Sequence, residues 1–259
     1  MRAPVAVVTG GASGIGAACV RKFAVEGWTV VVADIDEGKA RAFAAELAAE
    51  RRDVREAVLD VSSEASVSDF AALIARDFGH ADALVNSAGI LQGATRITDM
   101  TLASYDAIQA VNVRGAMLVG RALGAQMMEV GSGSIVNLCS IASTRPSAQP
   151  AYATAKAGLK MLTEIMAAEF GPRGVRVNAV APGYTMTPLM RSLVDEGRRD
   201  PALVVERSAL GRFVEPEEIA DGIWFLCSQA ARSITGITMP IDCGWLVRSS
   251  YLSYATTPA

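Results

Sequence analysis

The chain has 259 residues, of which 51% are hydrophobic and 20% charged, and its formal net charge is −3. This composition is typical of a globular protein and predicts a single domain over residues 1–259. No basic block is present and no apolar run reaches the roughly 18–20 residues of a membrane span, so we expect neither nucleic acid nor a membrane as partner. The short apolar start predicts no signal peptide, and the four scattered cysteines favour a reducing, cytoplasmic location.

Short β-branched runs alternate with longer alanine-rich stretches along the chain. The predicted strands are Val5–Val8, Thr29–Ala33, Val54–Leu59, Ala83–Asn86, Ser134–Leu138, Val175–Val180 and Ile237–Ile241. The predicted helices are Ile15–Glu26, Lys39–Arg51, Ser66–Phe78, Leu102–Met128, Ala151–Phe170 and Pro216–Ser228. This alternation predicts an α/β fold with a doubly wound parallel sheet of about seven strands and helices on both faces. Residues 183–210 lack periodicity and are predicted to form a mobile lid over the substrate.

A glycine-rich loop, TGGASGIG, follows the first predicted strand and leads directly into a helix. Gly10, Gly14 and Gly16 allow a tight turn, close approach of a pyrophosphate, and packing of the helix on the strand. The helix N-terminus then offers free N–H groups to phosphates. A plain strand-to-helix turn is the alternative explanation for such a loop by itself.

Asp34 ends the second predicted strand, where a carboxylate can accept hydrogen bonds from the hydroxyls of an adenosine ribose. The same carboxylate would repel a 2′-phosphate, and neither the glycine loop nor the residues just after Asp34 provide a cation for one. The sequence therefore predicts NAD as cofactor in preference to NADP.

The only histidine, His80, is predicted to lie at the surface, which argues against a histidine triad and against a metal site. Tyr152 and Lys156 are four residues apart and so share one helix face. A free phenol titrates near ~10 and is a poor base at neutral pH. One ammonium at about 4 Å supplies roughly 4 kcal/mol at an effective dielectric of about 20. This is enough to lower the pKa of the phenol by the roughly 2–3 units that a base at neutral pH needs. A neutral surface contact is the alternative for this pair.

Six motifs in order resemble those of the short-chain dehydrogenase/reductase family. They are TGGASGIG, NSAG at 86–89, VNVRG around Asn112, Ser140 after SIVNL, Tyr152-x-x-x-Lys156, and Pro182-Gly183 after VRVNAVA. The resemblance spans residues 5–244 and implies a Rossmann-type sheet. It also implies a catalytic tetrad in which Tyr152 is the acid/base and Lys156 lowers its pKa and binds the nicotinamide ribose. Ser140 would bind the substrate oxygen, and Asn112 would hold a water that relays protons to Lys156.

The resemblance also identifies the residues expected to bind the cofactor. These are Gly10, Ser13, Gly14, Ile15, Gly16, Asp34, Asp60, Val61, Asn86, Ala88, Gly89, Tyr152, Lys156, Pro182, Gly183, Thr185 and Thr187. Asp60 and Asn86 could instead be structural residues, and Ser143 is a less favoured substitute for Ser140. The family usually has Asp and two glycines after the last strand, whereas Cys243 replaces the first glycine here, which puts the conformation of that turn in doubt.

The predicted activity is the reversible transfer of a hydride between NAD(H) and a secondary alcohol or ketone, with a polyol, sugar or small hydroxy compound as substrate. The substrate wall is expected to include Leu91, Gly93, Arg145, Gln149, Tyr184, Met186, Leu189 and Met190. The alternatives are an NADPH-linked 3-ketoacyl reductase and a catalytically silent NAD-binding regulatory protein. Apolar side chains on more than one face of the two longest helices predict a homo-oligomer, and the resemblance favours a tetramer. The tail, residues 245–259, is expected to reach a neighbouring subunit.

Overall fold

The fold is known from a computed structural model that describes residues 2–253. Seven strands form one sheet in which all neighbouring strands are parallel, in the order β3-β2-β1-β4-β5-β6-β7. The strands are β1 Val5–Thr9, β2 Thr29–Asp34, β3 Val54–Val58, β4 Ala83–Asn86, β5 Gly133–Leu138, β6 Val175–Pro182 and β7 Thr238–Ile241. Each lies within two residues of its predicted bounds, so the predicted sheet is confirmed.

Ten α-helices are found among the described residues. They are α1 Gly14–Val25, α2 Glu37–Ala49, α3 Glu64–Phe78, α4 Leu102–Gln109, α5 Ala116–Val130, α6 Pro150–Phe170, α7 Pro188–Asp195, α8 Pro201–Arg207, α9 Pro216–Cys227 and α10 Trp245–Leu252. Five of the six predicted helices match α1, α2, α3, α6 and α9 to within two residues.

The predicted helix Leu102–Met128 is wrong in its continuity, because a π-helical turn at Ala110–Gly115 separates α4 from α5. Asn112 lies in this turn, and its side chain exchanges two hydrogen bonds with the backbone of Ile90. A turn widened by one residue hardly changes an apolar pattern, so periodicity does not detect it. Such turns occur often at functional sites.

Residues 183–210, which lack periodicity in the sequence, contain two short helices, α7 and α8, that the sequence does not predict. Each begins at a capping side chain followed by proline: the Thr187 hydroxyl accepts a hydrogen bond from Met190 N at 3.3 Å, and the Asp200 carboxylate accepts one from Ala202 N at 2.9 Å. Both signals favour a helix start. The helices are too short and too exposed for a readable apolar stripe. In the tail, α10 was likewise unpredicted, and residues 254–259 lie outside the described part of the chain.

Successive strand residues point into opposite core layers, as the pleat of a strand requires. Ala6 and Val8 of β1 pack in the layer covered by α1, α2 and α9. Val5 and Val7 pack in the other layer, covered by α3, α5 and α6. Burial on both faces explains the continuous apolar runs of β1 and β2, whereas the edge strand β3 exposes Arg55 and Glu56. Within residues 2–253, no helix has the length and hydropathy needed to cross a membrane.

The direction of strand order reverses between β1 and β4, which places a crevice at their carboxyl ends. Ligands of open α/β sheets bind in such a crevice. The Thr9 hydroxyl holds its two sides together, accepting hydrogen bonds from Ser87 N and Ala88 N, both at 3.1 Å. The predicted motif residues therefore lie around the crevice at the carboxyl ends of β1 and β4.

Candidate active site

The glycine loop between β1 and α1 has no room for side chains at its key positions. Gly10 and Gly14 have positive φ angles of 63° and 53°. A Cβ at Gly16 would lie 2.1 Å from the Gly10 carbonyl oxygen, and one at Gly10 would lie 2.8 Å from Ala88 Cα. The loop thus forms a backbone-lined cradle at the crevice, and Ser13 and Ile15 lie at the start of α1 beside it.

Asp34 ends β2, and its carboxylate holds the glycine loop in place. One oxygen accepts a hydrogen bond from Ala12 N and the other from Asp36 N, each at 3.1 Å. Each carboxylate oxygen keeps a lone pair for a further donor. The nearby Lys39 ammonium is paired with Asp36, 2.8 Å from Oδ2. Asp34 is therefore a fixed acceptor at the edge of the crevice.

The structural alternatives for Asp60 and Asn86 gain direct support. The Asp60 carboxylate accepts hydrogen bonds from Ser62 N and Ser62 Oγ at 2.9 and 2.6 Å, which fixes the turn before α3. Asn86 is buried in β4, and its amide donates to Asn137 Oδ1 at 2.9 Å. Val61 is buried against the π-helical turn, since a Cβ at Gly115 would lie 2.8 Å from Val61 Cγ2. Contact of these three residues with a cofactor stays a prediction.

Gly89 lies directly over two of the predicted catalytic residues. A Cβ there would be 3.3 Å from Asn112 Oδ1 and 3.7 Å from Lys156 Nζ. Asn112 Oδ1 accepts a hydrogen bond from Ile90 N at 2.8 Å, and Asn112 Nδ2 donates to Ile90 O at 2.9 Å. The structure therefore brings the loop after β4, the π-helical turn and Lys156 together.

The segment after β6 closes the other side of the crevice. Gly183 packs against Asp242, whose Cα would be 2.7 Å from a Cβ at that position. Pro182 ends β6, and the Thr185 hydroxyl donates to Gly183 O at 3.1 Å. The Thr187 side chain faces the glycine loop, 3.6 Å from the Cβ that Gly14 lacks. Residues far apart in sequence thus line one cleft.

Ser140 follows β5 and caps a short 3-10 turn. Its hydroxyl accepts a hydrogen bond from Ala142 N at 3.1 Å. Ser140 N in turn donates to the hydroxyl of Ser143 at 3.2 Å. Ser143 therefore has a structural role as capping partner, which weakens its case as a substitute for Ser140.

Tyr152 and Lys156 lie on one face of α6 beside Ser140. Lys156 is 4% exposed, and its Nζ donates to Leu138 O at 2.6 Å and lies 5.6 Å from the centre of the Tyr152 ring. Burial lowers the pKa of Lys156 to about 8. Burial also raises the pKa of Tyr152, with the Ser140 hydroxyl acting in the opposite direction. In the protein by itself the pKa of Tyr152 is therefore raised by burial, and the lowering by Lys156 that the sequence predicts is not seen.

Several of the residues predicted to form the substrate wall make contacts with other residues of the protein. The Gln149 amide donates to Gln92 O, the guanidinium of Arg145 lies 2.7 Å from Ser250 Oγ, and the Tyr184 ring packs 5.6 Å from Trp245. Leu91 and Leu189 are exposed. Gly93, Met186 and Met190 lie in the loop after β4 and around the start of α7.

The C-terminal helix α10 supplies residues that the sequence analysis missed. A cavity of about 510 Å³ lies between α10 and the loop after Ser140, lined by Thr144, Arg145, Leu246, Val247 and Ser250. α10 begins at Trp245, two residues after Cys243. The only feature of the sequence that points to Trp245 is its place shortly after the last strand. Cys243 keeps the left-handed turn conformation, with φ 51°. The substitution for glycine therefore leaves the turn intact at the cost of some strain.

A second cavity, of about 610 Å³, lies at the amino ends of β1, β2 and β3. Its lining includes Arg2, Asp53 and Asp77 but none of the predicted site residues. His80 is near this end of the sheet, where Nε2 lies 3.3 Å from Asp82 Oδ1. The histidine therefore lies at the end of the sheet opposite the crevice, and it is half-buried there instead of fully at the surface as predicted.

Known proteins share both the sequence and the fold. A family model described as enoyl-(acyl carrier protein) reductase matches residues 10–246. The D-threitol dehydrogenase of Mycolicibacterium smegmatis is 39% identical over 245 residues, which cover 94% of this chain and 93% of that relative.

Two solved structures extend the comparison. An oxidoreductase of the short-chain dehydrogenase/reductase family from Burkholderia thailandensis is 31% identical, with a TM-score of 0.89 over 99% of both chains. A gluconate 5-dehydrogenase from Burkholderia cenocepacia, solved with NADP and tartrate, is 31% identical, with a TM-score of 0.90 over 95% of this chain and 96% of that one.

Proposed function

The chain belongs to the short-chain dehydrogenase/reductase family, and from that premise we propose that it catalyses the reversible, NAD-dependent oxidation of a secondary alcohol to a ketone. The observation that carries this proposal is the convergence of Ser140, Tyr152 and Lys156 beside a glycine-lined crevice. A catalytically silent relative would have no physical reason to keep this arrangement. The silent alternative is therefore disfavoured.

In the proposed reaction Tyr152 accepts the proton of the substrate hydroxyl and returns it in the reverse direction. The Ser140 hydroxyl holds the substrate oxygen beside the phenol. Since burial opposes the phenolate, positive charge is needed nearby, and Lys156 supplies it while its pKa of about 8 keeps it largely protonated at neutral pH. Asn112 anchors the loop that covers Lys156, and its proposed part in a proton relay follows from the family resemblance.

The residues of the crevice fit a nicotinamide dinucleotide. The tight backbone turn at Gly10 and Gly16, where a Cβ would clash with neighbouring backbone atoms, suits a pyrophosphate against the start of α1. Asp34 would hold the adenosine ribose, and Lys156 the nicotinamide ribose. When bound, NAD supplies the acceptor for the hydride that leaves the substrate carbon.

We propose NAD in preference to NADP because of Asp34. Its carboxylate offers acceptors to ribose hydroxyls and repels a 2′-phosphate, while Lys39 is already paired with Asp36. The gluconate 5-dehydrogenase bound to NADP shows that related chains take the phosphorylated cofactor. Asp34 likewise argues against the NADPH-linked ketoacyl reductase alternative.

For the substrate we propose a polyol or sugar. The threitol dehydrogenase acts on a polyol by its name, and the site combines exposed apolar groups such as Leu91 and Leu189 with polar groups such as Arg145. We also propose that residues 183–210, with α7 and α8, act as a lid over this substrate. Both helices are capped and largely exposed, and they are joined to the rest of the chain at the segment after β6 and at the hydrogen bond from Ser208 to Cys243 O.

A panel of polyols, sugars and hydroxy-esters assayed with NAD and with NADP tests the proposed function. Reduced-cofactor absorbance should rise with at least one polyol or sugar, and faster with NAD. Binding of NAD without turnover of any alcohol in the panel would favour the silent alternative. A 3-ketoacyl compound is assayed in parallel with NADPH, and turnover confined to that pair would favour the reductase.

We further propose a cytoplasmic homo-oligomer, with a tetramer favoured by the family resemblance. On α6, Met161 and Ile165 are 54% and 52% exposed, and Val130 at the end of α5 is 51% exposed. Apolar surface of this kind is typical of subunit interfaces. Light scattering at micromolar concentration tests the assembly, and a monomer there would contradict it. The four free cysteines suit a reducing compartment.

A further inference from the structure

The helix that carries Tyr152 is capped by a residue from a distant loop. The first N–H groups of a helix have no partner within it. In α6 the N-cap residue Gln149 makes no side-chain capping bond, and Pro150 has no N–H. The N–H groups of Ala151 and Tyr152 instead donate to Oε1 of Gln92, at 2.9 and 3.1 Å. One buried amide oxygen therefore binds the start of the catalytic helix.

Gln92 is itself held from several directions. It is 8% exposed, and its Nε2 lies 3.2 Å from Met100 Sδ. Its backbone carbonyl accepts a hydrogen bond from Gln149, so residues 92 and 149 are joined through backbone and side chain. With both ends of the amide engaged, the side chain has a fixed orientation. The position of the loop that carries Gln92 therefore determines where the start of α6 lies.

The loop of Gln92 also forms the wall over the other predicted catalytic groups. Two residues earlier, the backbone of Ile90 exchanges hydrogen bonds with Asn112, and Gly89 lies over Lys156 Nζ. The same four-residue stretch therefore contacts the π-helical turn, the lysine and the N–H of Tyr152. Movement of this stretch relative to α6 would displace the phenol from the groups it works with.

We propose that Gln92 is a positioning residue for the acid/base, whose amide oxygen sets the placement of Tyr152 relative to Lys156 and the cofactor crevice. The inference rests on the proposed function, since it requires Tyr152 to move the proton. A displacement of about 1 Å can lower turnover on the order of a hundredfold. Loss of the cap should therefore act on kcat and on the pH dependence of kcat more than on cofactor binding.

Three variants test the role of the amide oxygen. Gln92→Leu removes the acceptor at similar size, and Gln92→Glu keeps an oxygen acceptor whose charge suits a helix N-terminus. Gln126→Leu is the matched control, because the half-buried Gln126 amide donates to Ala71 O at 2.9 Å between α5 and α3, away from the site. Each variant is assayed for kcat against pH, for the KM of alcohol and of NAD, and for thermal unfolding.

Gln92→Leu should lower kcat on its high-pH plateau at least about tenfold and raise the apparent pKa, with the KM of NAD changed less than about threefold. Gln92→Glu should restore plateau kcat to within about threefold of the unaltered enzyme. Gln126→Leu should keep the pH profile of the unaltered enzyme. Equal pH profiles and plateaus for Gln92→Leu and Gln126→Leu, or equal losses for both Gln92 variants, would overturn the inference.

Hydrogen exchange tests the contact in the unaltered protein, so the inference can be judged even if Gln92→Leu does not fold. The amides of Ala151 and Tyr152 should be strongly protected, and exchange at the rate of exposed amides would overturn it. Tyr152→Phe is assayed in parallel. If that variant keeps its turnover, the proposed function fails. If it loses turnover while Gln92→Leu keeps full kcat, only the role of Gln92 fails.

Discussion

The two sides of the crevice are built in different ways. On the cofactor side, β1, the glycine loop, α1 and β2 follow one another in the chain, and Asp34 closes the unit through Ala12 N. On the side where we propose that the substrate binds, the wall combines residues 183–210, the loop after Ser140, and α10. The first unit is local and rigid, whereas the second is assembled from three distant segments.

The difference shows which parts of such an enzyme a short motif can encode. A backbone cradle needs particular residues at fixed spacing, because Gly10 and Gly16 must allow backbone atoms to approach closely. A substrate wall needs only shape and polarity, which many sequences supply. Tyr152 and Lys156 lie where the two sides meet, and changes there should have the largest effects.

The largest expected effect is that of Tyr152→Phe, which keeps the ring but removes the titrating oxygen. Turnover should fall by about 10²–10⁴-fold, the usual contribution of a positioned acid/base. In the unaltered enzyme with NAD bound, kcat for oxidation should rise with pH through one apparent pKa below ~10. The reason is that the positive charge of the nicotinamide adds to that of Lys156 and opposes the burial that raises the Tyr152 pKa in the protein by itself. NAD affinity from fluorescence quenching should stay nearly constant in the variant. More than about a tenth of normal turnover would mean that the acid/base is another residue.

Lys156→Met should change how the stability of the cofactor-free protein depends on pH. The folded protein releases the Lys156 proton near pH 8, whereas the unfolded chain keeps it up to about 10.5. Between about pH 8 and about 10.5 the unfolded state binds more protons than the folded state. As the pH is raised through this range, the free energy of unfolding of the unaltered protein should therefore increase relative to that of the variant. Over the whole pH range this relative gain in the free energy of unfolding should be roughly 3 kcal/mol. Denaturant unfolding at several pH values measures it, and a pH-independent difference would contradict the burial of a charged lysine.

Gly16→Ala should distort the glycine loop and so weaken the binding of NAD. Its Cβ would lie 2.1 Å from the Gly10 carbonyl oxygen, so the loop must shift. The strain of overpacking, about 1–3 kcal/mol, should weaken NAD binding roughly ten- to a hundredfold. Gly38→Ala is the control, since that helical glycine is exposed and an added Cβ meets only Asp36 Oδ1, at 3.5 Å. Equal NAD affinities for the two variants would show that the loop is not the cradle.

Asp34→Ala tests the choice of cofactor within the same unit. The unaltered enzyme should prefer NAD over NADP at least about tenfold in kcat/KM, or ~1.4 kcal/mol. The variant should narrow this preference, because it loses both the ribose acceptor and the repulsion of a 2′-phosphate. Initial rates with both cofactors measure it. Equal use of NAD and NADP by the unaltered enzyme would contradict the role given to Asp34.

Trp245→Ala should produce the smallest effect and should act on the substrate side alone. Its ring packs against Tyr184, and an aromatic pair of this kind contributes about 0.5–1.5 kcal/mol. The KM of the alcohol should rise about three- to tenfold while the KM of NAD stays the same. A larger change for NAD than for the alcohol would place α10 on the cofactor side instead.

The sequence by itself determined the sheet, most helix bounds and the identity of the candidate site residues. Strand and helix patterns depend on burial of local segments, and the glycine loop and the Tyr152–Lys156 spacing are local in the same sense. Only the tertiary structure decided that Asn86 joins the polar network of the core and that Asp60 fixes a turn, because both outcomes depend on the partners that packing brings within reach.

The same reason explains what the sequence could not show at all. The π-helical turn at Ala110–Gly115 is held by the two hydrogen bonds that Asn112 exchanges with the Ile90 backbone, and the cap on α6 is Gln92, sixty residues before Tyr152. The raised pKa of Tyr152 depends on burial under other elements, which the spacing of Tyr152 and Lys156 in the sequence does not show. Contacts between distant segments leave no periodic trace in a single sequence, so only the folded chain reveals them.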